Sequence, residues 1–154
     1  MKRPYFITVY YFLFWLLYFA VARGVFLLYH NSKAAGLSFT EISKSFLYGL
    51  RLDASFAAYI CVIPFLLYLL QLLFRNNLFT KIISGFTYVL LAFISLLVVT
   101  DLELYKAWGF RLDATPLQYI DTPAEMAASA GAAPVWLLAL IFLLLAGGSI
   151  WLYI

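Results

Sequence analysis

The residues best equipped for chemistry fall in a pattern that occurs twice. Tyr48-Gly49-Leu50-Arg51-Leu52-Asp53-Ala54-Ser55 is echoed by Trp108-Gly109-Phe110-Arg111-Leu112-Asp113-Ala114-Thr115. The shared order is aromatic, Gly, apolar, Arg, Leu, Asp, Ala, hydroxyl. Arginine presents a planar fork that binds phosphate or carboxylate in bidentate fashion, and a neighbouring aspartate can hold that fork in orientation. Arg23, Asp101 and Glu103 stand at comparable places near apolar runs. Two readings follow. In one, Arg51, Asp53, Arg111, Asp113, Trp108 and Arg23 form a polar cluster that meets a lipid headgroup or a lipid-linked substrate. In the other, the same ion pairs only tie helix ends together at the membrane surface. The residues flanking the echo do not repeat, so it is not read as a duplication.

Other chemistry is scarce. The chain has one histidine and one cysteine, so no Ser/His/Asp or Cys/His set can be assembled and no metal-ligand spacing exists. His30, beside Asn31 and Ser32, reads as a solvated histidine at a helix end. Cys61 lies in an apolar run. No glycine-rich phosphate loop occurs. The sequence therefore offers no catalytic, cofactor-binding or metal-binding residue. The net charge of +3 is too small and too scattered to suggest nucleic acid.

These polar residues sit in an apolar chain. Hydrophobic residues make up 66% of it and charged residues 11%, against about 25% charged in an ordinary soluble domain. A soluble fold of this size could not hide so much apolar surface, so that surface faces lipid. A bilayer core needs roughly 20 apolar residues per helix. Four runs meet that need, at about 4–30, 54–74, 82–100 and 134–154. They are continuous rather than alternating, which excludes barrel strands. The expected fold is all-α: one helical membrane domain over residues 1–154, with four transmembrane helices. Met1-Lys2-Arg3 precedes a run too long for a signal peptide, so an uncleaved first helix is expected.

Further elements position the echo. Ser38-Phe39-Thr40-Glu41 is a capping box. Phe39, Ile42, Phe46, Leu47 and Leu50 recur at helical spacing after it, which predicts an interfacial amphipathic helix over 39–53 that is continuous with or bends into the second span. Residues 101–133 read as a long extracytoplasmic loop. Two short helices are expected within it, starting at Thr115-Pro116-Leu117-Gln118 and Thr122-Pro123-Ala124-Glu125. Trp108 and Trp136 suit the aromatic belt of one membrane face, and Trp151 and Tyr153 that of the other. Lys2, Arg3, Arg75 and Lys81 flank short connections and place the N-terminus and the 75–81 turn on the cytoplasmic side. Both copies of the echo then lie outside.

A family resemblance rests on these features. The order of spans, the Arg51-Leu52-Asp53-Ala54 run, the stretch from Asp101 to Leu117 and Thr122-Pro123-Ala124-Glu125-Met126-Ala127-Ala128-Ser129 resemble the N-terminal membrane domain of lipoteichoic acid synthase-like proteins. These are sulfatase-type enzymes of the alkaline phosphatase superfamily, and the version here is similar to Bacteroidetes members. The resemblance implies a bacterial cytoplasmic membrane location. It also implies a fifth span and an extracytoplasmic domain, with a Thr or Ser nucleophile and a divalent metal, that transfers or hydrolyses phospho- or sulfo-groups. Neither that span nor that domain is in this chain, which is expected to be a truncated piece, so no catalytic or metal residue carries over. The chain's expected role is a membrane anchor and lipid-side platform whose partners are the bilayer, anionic phospholipid and its own C-terminal domain. The alternative is a small stand-alone membrane protein that assembles with partners. A transporter fragment fits less well, because no charged residue falls in the central part of a span.

Overall fold

The computed structural model describes residues 4–74, 76–109, 111–112 and 134–154, with side chains from residue 7 onward. The chain is an all-α, multi-pass membrane protein. Its described helices are α1 (Pro4–Tyr29), α2 (Asn31–Ala34), α3 (Phe39–Phe74), α4 (Leu78–Trp108) and α5 (Val135–Tyr153). All but α2 are long and apolar enough to cross a membrane. The helices beginning at Thr115 and Thr122, and most of the 101–133 loop, lie outside the described residues.

The chain divides into two compact units, residues 1–90 with Tyr153, and residues 91–152 with Ile154. In the first unit α1 packs along α3. Trp15 is fully buried there, with Tyr18, Ala22, Ala57, Ile60 and Cys61. Aromatic rings supply much of this packing. Trp15 meets Tyr11 and Tyr18 edge-on and stacks near Phe19, with ring centroids 5.6–6.3 Å apart. Such offset and edge geometries suit the ring quadrupole. Ala57 is small, which leaves room for these rings beside the α3 backbone. Tyr153 joins the same cluster through Tyr11, Phe14 and Tyr88, so it packs in the protein in addition to any role in an aromatic belt. Tyr11 and Thr87 share a hydrogen bond of 3.0 Å, and the Thr87 hydroxyl donates to the Ile83 carbonyl. The Thr87 hydrogen is thereby used, so Tyr11 is the donor to Thr87. A buried hydroxyl needs such a partner where lipid offers none.

In the second unit Leu91, Ile94, Val99, Leu102, Leu145 and Ala146 are buried, with Ser95 and Asp101 among them. Many large apolar side chains elsewhere are exposed, among them Tyr10, Val89, Leu143 and Leu144. In water that surface would drive aggregation; in a bilayer it is the solvated surface.

One boundary differs from the sequence reading. The third span was expected to stop at Thr100, yet α4 continues through Asp101 to Trp108. A charge ends the stretch that lipid tolerates, but it does not end a helix, and Leu102, Leu104 and Tyr105 keep the helical pattern going. Gly109 ends it, with φ +79°, the left-handed conformation that glycine adopts at helix C-termini. The stretch 39–53 is helical and continuous with the second span, one of the two forms expected. It forms the first part of α3, whose 36 residues run on without a break. The capping box forms as read. Glu41 Oε2 accepts from the Ser38 backbone N–H at 2.7 Å, and the Glu41 N–H donates to Ser38 Oγ at 3.3 Å.

Candidate functional site

The first copy of the echo, Tyr48–Ser55, is a regular stretch of α3. Residues four apart on a helix share a face, and residues two apart do not. Gly49 and Asp53 therefore point one way and Arg51 another. The structure follows that geometry. Arg23, on α1, donates from Nη2 to both Asp53 oxygens, at 3.0 and 2.8 Å. The two side chains keep only 20% and 17% of their exposure. The Arg23 guanidinium lies against the α3 backbone at Gly49, where any added Cβ would collide with its Cζ and both Nη atoms. Glycine is thus required for the close approach. Arg23 Nε is buried without a hydrogen-bond partner.

This revises the pairing expected within the motif. Asp53 does not orient Arg51, because i and i+2 face apart on a helix. It holds Arg23, thirty residues away. Arg51 is exposed. The spacing Gly49-x-x-x-Asp53 was the available signal: a notch and an acid on one helical face imply a cation arriving from a neighbouring helix.

The second copy is built differently. Trp108 closes α4 and Gly109 turns the chain. Arg111 then reaches back to Asp101. Its Nε donates to Oδ2 at 2.8 Å, Nη2 lies 2.7 Å from the same oxygen, and the Leu112 N–H donates to Oδ1 at 2.6 Å. Asp101 is buried while Arg111 is largely exposed. The carboxylate of Asp101, inside α4, thereby pins the chain that leaves the helix. Asp113 lies outside the described residues. Glu103 pairs with Lys106 one turn on, at 3.4 Å. Trp108 is partly exposed.

His30 departs from its expected solvated state. It is buried, with its ring 4.7 Å from that of Phe26 and edge-on to Tyr29. The helix end brings i−4 and i−1 rings onto the imidazole, and that contact excludes water. Among the described residues, no three His, Cys, Asp or Glu side chains come together in a way that could hold a metal ion. The polar groups described above form ion pairs and hydrogen bonds that fasten the helices.

The sequence matches no family model, and no curated protein or solved structure matches it either.

Proposed function

We propose that this chain is the membrane anchor and lipid-side platform of a lipoteichoic acid synthase-like phosphoglycerol transferase or sulfatase-type enzyme in a bacterial cytoplasmic membrane. The observation that carries the reading is the run from Asp101 to Leu117, which resembles the family's pattern after the third span. The pinning of Arg111 and Leu112 to Asp101 supports it, because a platform needs the chain leaving α4 to be held close to the helix. One ion pair fastens α1 to the interior of α3 and the other holds the chain after α4 to that helix, as charges near membrane spans tend to pair. In this reading the divalent metal and the nucleophile belong to the C-terminal domain, and this chain supplies attachment and contact with lipid.

The test is to read the coding sequence downstream of Ile154. A fifth apolar span followed by a sulfatase-like domain is the expected result. A stop codon directly after Ile154 would overturn the proposal in favour of a stand-alone membrane protein.

A further inference from the structure

Once Asp53 is assigned to Arg23, the outward face of the same helix segment stands out. Lys44, Tyr48 and Arg51 recur at i, i+4 and i+7, one stripe of α3, and all three are exposed. The stripe faces away from Gly49 and Asp53. The acids nearest to it in sequence are committed elsewhere. Glu41 Oε2 is taken by the Ser38 N–H and hydroxyl, and both Asp53 oxygens are taken by Arg23. Among the described residues, neither Lys44 nor Arg51 has an acidic partner. The charge-free run of α3 starts at Ala54, and 21 residues from there to Phe74 suffice for a bilayer core. Arg51 then stands within a turn of the hydrocarbon edge, at headgroup level, and Lys44 stands about 10 Å further out along the axis.

We propose that Lys44, Tyr48 and Arg51 form a binding stripe for the phosphate of an anionic phospholipid. The guanidinium of Arg51 takes phosphate oxygens in bidentate fashion. The Tyr48 hydroxyl, between the two cations, donates a further hydrogen bond, and Lys44 adds charge. The Arg23–Asp53 pair fastens α1 to α3 and takes no part in binding. This deepens the reading of the chain as a lipid-side platform and rests on it.

The test uses the full chain in detergent, with lipid retention followed by native mass spectrometry. The probes are phosphatidic acid and phosphatidylcholine with identical acyl chains. The wild-type protein is expected to retain phosphatidic acid more tightly, and the preference should fall between 0.1 and 1 M salt as the Debye length shrinks from about 10 to 3 Å. K44Q and R51Q should each weaken retention of phosphatidic acid about fivefold, as expected for one surface cation, with unchanged thermal melting. The double variant should lose the preference. Equal retention of the two lipids by wild type, or wild-type retention of phosphatidic acid by the double variant, would overturn the proposal. Neither result depends on what is encoded after Ile154, so the binding stripe and the enzyme-anchor reading can fail separately.

Discussion

The two copies of the echo share eight residue types in order but differ in conformation over the described residues. Tyr48–Ser55 is uninterrupted helix, whereas Trp108 closes a helix and Gly109 turns the chain. Their glycines do opposite jobs. Gly49 keeps helical angles and supplies a notch for a guanidinium, while Gly109 supplies a positive φ that stops a helix. Their charged residues also swap parts. The first copy contributes the acid, Asp53, to a base on α1. The second contributes the base, Arg111, to an acid inside α4. What the copies have in common is that an ion pair closes each one with a partner from outside the motif. A linear pattern of Gly, Arg and Asp specifies the parts of a fastening, and the surrounding helices decide how the parts are used.

The largest expected effect tests this division. Asp53→Ala leaves the Arg23 guanidinium partly buried without its counter-charge, and thermal or denaturant melting in detergent should show a loss of about 3 kcal/mol. The matched change of both Arg23 and Asp53 to apolar residues should cost less than either single change. Arg111→Ala should cost less than Asp53→Ala, on the order of 2 kcal/mol, because Asp101 keeps the Leu112 N–H. If the matched double change proves worse than the singles, the first pair is not a self-contained fastening.

The glycines give the next effect. Gly49→Ala should destabilise by about 1–2 kcal/mol, because the new methyl displaces the Arg23 guanidinium. In a background lacking Arg23 and Asp53 the sign should reverse, since alanine exceeds glycine in helix propensity by about 1 kcal/mol. Gly109→Ala should cost about 1–2 kcal/mol in either background, because its penalty lies in the φ angle. A Gly49→Ala penalty that survives removal of Arg23 would show that the notch serves something other than the guanidinium. The smallest effect is Ser38→Ala. It removes both hydrogen bonds of the Ser38 hydroxyl, on an exposed cap, and should lower stability by about 1 kcal/mol. Hydrogen exchange at Glu41 and Ile42 should rise, with none of the change reaching the 54–74 region.

Local physics was the part visible in the residues. The four apolar runs became helices because lipid leaves the backbone no other partner, and Ser38 and Glu41 formed their reciprocal cap because both halves lie three residues apart. What escaped was whatever depends on a neighbour. Asp53 could not be matched to Arg23 from the echo alone, since the eye pairs the closest opposite charges and a helix points them apart. The helix ran past Thr100 because a charge does not end a helix, and the partner that Asp101 finds, Arg111, lies beyond the turn at Gly109. His30 looked solvated beside Asn31 and Ser32, but Phe26, a full turn back, covers it. The turn before α4 carried a signal of its own as well: Asn76 Oδ1 accepts from the Leu78 N–H at 2.9 Å, and Gln71 donates to Thr80 across the turn at 2.8 Å.

The length of α3 has a mechanical consequence. Its 36 residues are continuous helix, about 54 Å long at the usual rise, whereas a bilayer core needs only about 30 Å. Pro64 lies inside the run from Ala54 to Phe74 and is the place where that length can bend. On the Phe39 side of Pro64 the chain is helix without a further proline, so that part moves as one element. Rotation by ~10° about Pro64 sweeps the Phe39 end through roughly 6–7 Å, given the rise per residue. Arg23 is clamped to Asp53 part-way along this part. The Arg23–Asp53 pair is thus the point at which a swing of this part of α3 is handed on to α1.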